Sequence, residues 1–255
     1  MTYNEIRQLV SEKINFLNWN TEKSLVLVGP VSLPISLDGN IVTFSWYTWG
    51  HVERNRYLSL DQFLDDLGRE SRPDISYSSA IVYGDFQESE QTLVRLHSIC
   101  HTGDIFGSQR CDCGYQFKTA LKQIYSFGSG ALMYLADQEG RGIGLLGKSV
   151  TYLLQQSGFD TVDANTCLGF ADDNRSYDQA AIVISWLRKK PISLLTNNPA
   201  KLDALKKCGI DIERRIPLWG GETTFNEEYL KTKVCRMGHL SNASTPEIKM
   251  QIQTR

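Results

Sequence analysis

The sequence predicts an α+β fold in which a mixed α/β layer packs with N-terminal antiparallel strands. Two observations support this prediction. Strand-like runs with turn signals occupy residues 23–49 and 79–96, and helical spacing alternates with short apolar runs from residue 117 onward. The 255 residues are enough to bury a substantial core. The formal net charge of −2 argues against a general nucleic-acid-binding protein, so no nucleic-acid partner is expected.

The first predicted element is a helix at the N-terminus. Its apolar residues Ile6, Leu9, Val10, Ile14 and Leu17 keep helical spacing and do not form one continuous apolar block. The pattern predicts an amphipathic helix rather than a signal peptide. No run is long enough to cross a membrane, so we expect a cytoplasmic protein without a membrane partner.

A β-hairpin region is predicted next. Two apolar runs, Ser24–Val28 and Ile41–Trp46, are separated by the turn signal Asp38-Gly39. The polar stretch after them carries a short predicted helix at residues 60–67 and no motif that identifies a function. We predict that residues 1–78 form an N-terminal extension composed of the helix, the hairpin and a variable insertion.

Residues 79–240 are predicted to form a catalytic domain, followed by a polar C-terminal tail at 241–255. Strands are expected at 79–84 and 92–96, and the second leads directly to Cys100. The later predicted elements are a helix at 117–127, a strand at 131–135, a helix ending near 156, a helix at 177–187, a strand at 192–195 and a short helix ending at Gly209.

The most informative motif is a group of three cysteines, Cys100, Cys111 and Cys113. Thiolates this close in sequence can bind one zinc ion, and a site with three protein ligands leaves one position for water. This favours a hydrolytic zinc site. Two other interpretations stay open: a structural zinc completed by His97 or His101, and reduced cysteines without a metal.

A glycine-rich stretch raises the question of phosphate binding. Gly142–Ser149 satisfies the P-loop pattern, but the charged stretch Ala136–Arg141 separates it from the preceding strand. Leu145 and Leu146 also fit the first turn of a helix better than a phosphate-binding loop. We therefore favour a simpler anion site at a helix N-terminus. The cations in motif-bearing stretches that could neutralise a triphosphate are Arg95, Arg110, Arg141, Lys148, Arg175 and Lys201.

The motifs together resemble the signature of GTP cyclohydrolase II. The string Arg95–Asp104, followed by Arg110–Gly114, carries the resemblance. Three later strings match in order and approximate spacing, namely Gln138–Leu145, Leu168–Arg175 and Leu194–Pro199. The resemblance covers residues 79–240, which we accordingly expect to be a GTP cyclohydrolase II-like catalytic domain.

The resemblance implies an activity, cofactors and an assembly. The family opens the imidazole ring of GTP and releases formate and pyrophosphate. The product is 2,5-diamino-6-(ribosylamino)pyrimidin-4-one 5'-phosphate, a precursor of riboflavin. Cys100, Cys111 and Cys113 would hold one Zn²⁺ per subunit, whose hydroxide attacks C8 of the purine. Mg²⁺ would accompany the substrate triphosphate, and the protein would be a homodimer.

The resemblance also implies roles for individual residues. Asp173 would be the proton acceptor, Arg175 the nucleophile at the α-phosphate, and Tyr152 a residue near the base. Because a guanidinium stays protonated in proteins, Arg175 fits the role of a clamp on developing phosphate charge better. The implied GTP-contacting residues are Arg95, Leu96, His97, Ser98, Gln116, Glu139, Gly140, Arg141, Thr161, Thr196 and Lys201.

One departure from the family pattern lies beside the first zinc ligand. Ile99 stands where the family usually has glutamate, and its apolar side chain removes a possible hydrogen bond to the substrate. Two alternatives therefore stay open: a divergent paralogue that acts on another purine nucleotide or in a specialised pathway, and a non-catalytic, zinc-stabilised GTP binder. A P-loop nucleotidase is the more distant alternative.

Overall fold

The computed structural model describes residues 3–54, 56–57, 59–67, 77–171 and 173–240. The strands of this part of the chain are β1 (Ile14–Asn18), β2 (Lys23–Leu37), β3 (Asn40–Glu53), β4 (Tyr77–Tyr83), β5 (Leu93–Ser98), β6 (Gly130–Leu135), β7 (Ile192–Leu195) and β8 (Ile212–Ile216). They form one eight-stranded sheet in the order β1-β2-β3-β4-β6-β5-β7-β8.

The helices surround this sheet. They are α1 (Tyr3–Ser11), α2 (Leu60–Leu67), α3 (Cys113–Phe127), α4 (Gly144–Gln156), α5 (Thr161–Cys167), α6 (Asp178–Leu187), α7 (Pro199–Lys207) and α8 (Glu227–Cys235). Apolar residues of α6 and α7 pack on one face of the sheet, whereas those of α3 pack on the other. No helix in the described ranges is long and apolar enough to span a membrane.

The sheet is antiparallel at its N-terminal side and parallel at its C-terminal side. Neighbouring strands from β1 to β4 are antiparallel, as are β4 and β6. In contrast, β6, β5, β7 and β8 run parallel. The carboxyl ends of these parallel strands lie at one edge, which is where open α/β sheets bind their ligands. The predicted α+β fold is confirmed, with the N-terminal strands joined to the mixed layer in one continuous sheet.

Three local predictions about the N-terminal region have different outcomes. The turn at Asp38-Gly39 is confirmed, and both residues have the positive φ angles of a tight hairpin turn. The helix at 60–67 is confirmed as α2. The prediction that the first helix continues to Leu17 is wrong, because α1 ends at Ser11 and the next apolar residues belong to β1. Pairing with β2 satisfies the backbone of β1, so tertiary contacts override a short helical pattern.

Two strands are longer than predicted. The first apolar run continues past Val28 to Leu37 across an irregularity in pairing between Val28 and Val31. The second continues through the polar stretch to Glu53, because β3 pairs with β2 on one side and with β4 on the other. The predicted boundary at residue 78 thus falls inside β4, and the division into domains stays a prediction.

The remaining predictions concern the insertion, the C-terminal tail and the three cysteines outside the cluster. Part of the predicted insertion, 68–76, and the predicted tail, 241–255, lie outside the described residues. The three remaining cysteines, Cys167, Cys208 and Cys235, stand singly in the sequence, a pattern that predicts small buried side chains. That prediction is wrong, since all three are exposed.

Candidate metal centre and anion pocket

A pocket opens at the edge where the parallel strands end. Its walls are formed by the segments that follow β5, β6 and β7 and by residues of α3, α4, α5 and α8. The helices α3 and α7 both begin at this edge. The topology therefore brings together motif residues that are far apart in the sequence.

The three cysteines predicted to bind a metal converge in this pocket. Cys100 follows β5, Cys113 is the first residue of α3, and Cys111 lies two residues before it. Their Sγ atoms all lie within 4.8 Å of one another, and those of Cys100 and Cys111 are 3.6 Å apart. Zn–S bonds of about 2.3 Å would separate two thiolates of a tetrahedral site by about 3.8 Å. The spacing therefore fits three corners of a zinc site.

The backbone close to the sulfur atoms has no room for a side chain. A Cβ at Gly103 would lie 2.9 Å from Cys111 Sγ and 3.1 Å from Cys100 Sγ. The Gly103 backbone N–H also donates a hydrogen bond of 3.3 Å to Cys100 Sγ. Glycine at this position therefore lets the chain fold closely around the cluster.

The electrostatics of the cluster also fit a cation. Hydrogen bonds from the thiols of Cys111 and Cys113, together with Lys148, lower the pKa of Cys100 despite its burial. The interaction with Cys100 raises the pKa of Cys111 to about 11, and the pKa of Cys113 is raised well above its usual range. The negative charge of the Cys100 thiolate opposes ionisation of the other two thiols. A bound dication would remove this repulsion and allow all three thiols to ionise.

The two candidate histidine ligands lie in other environments. His97 Nε2 is 3.0 Å from Asp104 Oδ2, and the ring stacks on Tyr134. The ring of His101 packs edge-on against Phe106. In the described part of the chain the group of possible metal ligands contains only the cysteines. The geometry thus supports an open three-thiolate site over a site closed by histidine.

The last residue of the first motif string, for which the sequence pattern indicated no role, positions the first cysteine. Asp104 lies in the π-helical turn His101–Ile105, directly after Cys100. Its Oδ2 accepts hydrogen bonds from the Cys100 backbone N–H at 2.9 Å and from the Tyr134 hydroxyl at 3.1 Å. These bonds join the turn to β6 and fix the direction in which Cys100 leaves β5.

The glycine-rich stretch does not form a P-loop. Helix α4 begins at Gly144, so Lys148 and Ser149 of the pattern are helical. Lys148 Nζ lies 2.6 Å from Glu139 Oε1 and 3.1 Å from Cys100 Sγ. Glu139 Oε2 in turn accepts a hydrogen bond of 2.6 Å from the His101 backbone N–H. The lysine of the P-loop pattern therefore contacts the cysteine cluster and does not belong to a phosphate-binding loop.

A second group of charged side chains makes the pocket positive. Arg95 and Lys201 are buried and donate to the neutral carbonyls of Leu195 and Leu96, at 3.0 Å and 2.7 Å. Neither has a carboxylate within ion-pair distance among the described residues. Burial and the charge of Arg95 lower the pKa of Lys201 well below its usual range. Buried basic side chains without a carboxylate in direct contact predict an anionic ligand.

Arg175 lines the pocket and forms a bidentate ion pair with Asp173, which is exposed and does not itself line the pocket. The Nε and Nη2 atoms of Arg175 lie 2.8 Å and 2.5 Å from the carboxylate oxygens of Asp173. Burial alone would raise the pKa of Asp173, but Arg175 outweighs burial and holds the pKa below its usual range. Burial likewise would lower the pKa of Arg175, yet the pairing raises it. Both groups are therefore charged at neutral pH.

Most residues predicted to contact GTP line this pocket. Those that do are Arg95, His97, Ser98, Gln116, Glu139, Gly140, Arg141, Thr161, Thr196 and Lys201, together with Tyr152. Leu96 is different, because its side chain is 0% exposed and packs in the core. Only its backbone is close to the site, through the carbonyl that binds Lys201. A direct side-chain contact between Leu96 and a ligand is therefore excluded in this structure.

Comparison with known proteins agrees with the sequence motifs. The family model of GTP cyclohydrolase II matches residues 68–217. GTP cyclohydrolase-2 of Histophilus somni (strain 2336) is 49% identical over 160 residues, which are 63% of this chain and 74% of that protein. GTP cyclohydrolase-2 of Colwellia psychrerythraea is also 49% identical over 160 residues, covering 63% and 79%. Riboflavin biosynthesis protein RibBA of Bacillus cereus is 47% identical over 176 residues, covering 69% and 44%.

Proposed function

The chain belongs to the GTP cyclohydrolase II family, and we propose that it is a hydrolase that opens the imidazole ring of GTP. Formate and pyrophosphate would leave, and 2,5-diamino-6-(ribosylamino)pyrimidin-4-one 5'-phosphate would be the product, in the riboflavin pathway. One observation carries the proposal. The cysteine cluster and the buried basic side chains without a carboxylate in direct contact line the same pocket, so a metal and a triphosphate would meet there.

Cys100, Cys111 and Cys113 would hold one zinc ion per subunit. When bound there, zinc would supply Lewis-acid activation of water near neutral pH. Lys148 pairs with Glu139 and also lies against Cys100 Sγ, so its ammonium group is shared between that carboxylate and the first thiolate.

Asp173 would act as the proton acceptor. Its lowered pKa keeps the carboxylate ionised at neutral pH, which a general base requires. Arg175 would hold that carboxylate and bind the phosphate on which charge develops. Its raised pKa argues against a nucleophilic guanidine, because a nucleophile must first lose its proton.

The remaining residues would recognise the nucleotide. Arg95, Arg141 and Lys201 would bind the triphosphate together with Mg²⁺, a hard cation suited to phosphate oxygens. Tyr152, whose ring lies 4.2 Å from the Arg110 guanidinium, would lie near the base. The other residues in the pocket that would contact GTP are His97, Ser98, Gln116, Glu139, Gly140, Thr161 and Thr196.

The most direct experiment is incubation of zinc-loaded protein with GTP and Mg²⁺, followed by measurement of formate. The proposal predicts formate release. Tight GTP binding without formate would instead identify a non-catalytic binder. Formate from another purine nucleotide but not from GTP would identify a divergent paralogue.

Replacement of Ile99 by glutamate tests the residue that departs from the family pattern. Ile99 lines the pocket beside Cys100, so a carboxylate there could accept a hydrogen bond from the substrate. We expect Ile99→Glu to retain zinc and to raise the preference for GTP over ITP about tenfold, the effect of one charge-assisted hydrogen bond. Ratios of kcat/KM measure this preference. Ile99→Met is the apolar control, and an unchanged ratio in Ile99→Glu would remove residue 99 from substrate selection.

We also propose that the chain forms a homodimer, which would be cytoplasmic. An exposed apolar row on α4 supports the dimer, with Leu146 85%, Val150 43% and Leu153 63% exposed. Rows of this kind usually pack against another surface. We expect Leu146→Glu combined with Leu153→Glu to convert the dimer into a monomer in sedimentation experiments. Ile41→Glu, at the exposed tip of the β2–β3 hairpin, is the control and should leave the mass unchanged.

A further inference from the structure

Helix α8 brings a buried lysine into the pocket for which the proposed reaction has no role. Lys233 lies beyond residues 68–217, the part that matches the family model, and it is 7% exposed. Its Nζ lies 2.5 Å from Oδ1 of Asp112. Asp112 is 1% exposed and stands between Cys111 and Cys113. The helix is thus linked by an ion pair to the loop that carries two of the three cysteines.

Hydrogen bonds continue from this ion pair to the anion site. Oδ2 of Asp112 accepts a hydrogen bond of 2.5 Å from Gln116 Nε2. Oε1 of Gln116 then accepts one of 2.5 Å from Nη2 of Arg95. A continuous relay therefore joins Lys233 to the guanidinium that would bind the triphosphate.

The segment after α8 fastens the helix at this position. The His239 backbone N–H donates to the Lys233 carbonyl at 3.0 Å, and the Leu240 backbone N–H donates to the Asn197 carbonyl at 2.9 Å. Asn197 lies between β7 and α7, at the sheet edge that forms the pocket. The end of the described chain is therefore bound to the wall of the pocket, with Lys233 held inside.

Without the charge of Lys233, the buried carboxylate of Asp112 would lack a counter-ion. A buried carboxylate that loses its counter-ion is strongly unfavourable and seeks another cation. The nearest alternative through the relay is Arg95, whose charge already interacts with Asp112. Pairing with Asp112 would draw Arg95 away from an anionic ligand. Neutralisation of Asp112 by Lys233 leaves Arg95 available.

We propose that Lys233 is a positioning residue that neutralises Asp112 and thereby directs Gln116 and Arg95 towards the substrate triphosphate. Helix α8 is then a required wall of the nucleotide pocket. This inference rests on the proposed function for the identity of the ligand, and the relay itself is a property of the described residues.

Three variants of the full-length, zinc-loaded protein test the proposal. Lys233→Met removes the charge, Lys233→Arg keeps it, and Lys231→Met is the matched control. Lys231 lies on the same helix, is 57% exposed and pairs with Glu227 and Glu228 at the surface. We expect Lys233→Met to raise the KM for GTP at least about tenfold while zinc content stays at one per chain. Lys233→Arg should stay within about threefold of wild type, and Lys231→Met should be unchanged.

A double-mutant cycle tests the relay separately. If Lys233 acts through Asp112, the fold-increase in KM of the double variant Asp112→Asn with Lys233→Met should be well below the product of the fold-increases of the two single variants. A fold-increase equal to that product would show that Lys233 acts independently of Asp112 and would overturn the relay. Should Lys233→Met fail to fold, the double variant Asp112→Asn with Lys233→Met carries the test. It lacks the carboxylate that would compete for Arg95, so its KM should stay within about threefold of wild type, and a tenfold rise would overturn the proposal.

Failure of the proposed function would be recognised from the wild-type protein, which would then release no formate. The relay would still be testable by amide hydrogen exchange over residues 112–116, which should be faster in Lys233→Met than in Lys231→Met. Equal exchange and equal KM in these two variants would overturn the inference.

Discussion

Cys111→Ser is expected to abolish formate release and zinc retention together. Cys111 Sγ lies 3.6 Å from Cys100 Sγ in the cluster that would hold the metal. A serine hydroxyl does not ionise near neutral pH and is a poor ligand for zinc among thiolates. We expect zinc content to fall from one per chain to nearly none and formate release to fall below about one thousandth of the wild-type rate.

Metal analysis and a formate assay on the same sample measure both effects. Cys208→Ser is the control, because Cys208 is exposed and lies outside the cluster. It should retain zinc and activity. A Cys111→Ser variant that releases formate at the wild-type rate without metal would contradict the zinc mechanism.

Asp173→Asn is expected to separate binding from turnover. The substitution preserves shape but removes the charge that accepts a proton, and loss of a general base lowers rates by roughly 100-fold to 10,000-fold. Zinc content and GTP affinity should change little, because Asp173 touches neither the cysteine cluster nor the buried cations Arg95 and Lys201.

The kcat and the dissociation constant for GTP, measured on the same preparation, distinguish the two effects. Asp211→Asn, an exposed aspartate ahead of β8, is the control. An unchanged kcat in Asp173→Asn would remove this residue from catalysis. A large loss of GTP affinity would instead identify its main role as the support of Arg175.

Sequence patterns predicted the elements with strong local signals. The helical spacing of Phe117, Ala120, Leu121, Ile124 and Phe127 corresponds to α3, whose inner residues are buried against the sheet. The helix itself begins earlier, at Cys113. The elements α5, β8 and α8 were not predicted. They are short, and α8 in particular is held by contacts with residues distant in the sequence.

In the candidate site too, features that depend on nearby residues were predicted, whereas contacts between residues far apart in the sequence were not. Motif spacing predicted that Cys100, Cys111 and Cys113 would converge, and the structure brings them together. Motif spacing indicated no role for Asp104, which binds the backbone of Cys100. It also indicated none for Lys233, which pairs with a residue 121 positions earlier. The motif match also included Leu96, whose side chain is in the core, because a motif records positions and not side-chain directions.

In the proposed mechanism, the cysteine cluster and the cationic pocket act on one GTP molecule. The most direct test measures formate and pyrophosphate in one reaction of zinc-loaded protein with GTP and Mg²⁺, with Cys111→Ser run in parallel. This mechanism predicts equal amounts of both products from the wild-type protein and neither product from the variant. Pyrophosphate or phosphate without formate, released equally by both proteins, would contradict it.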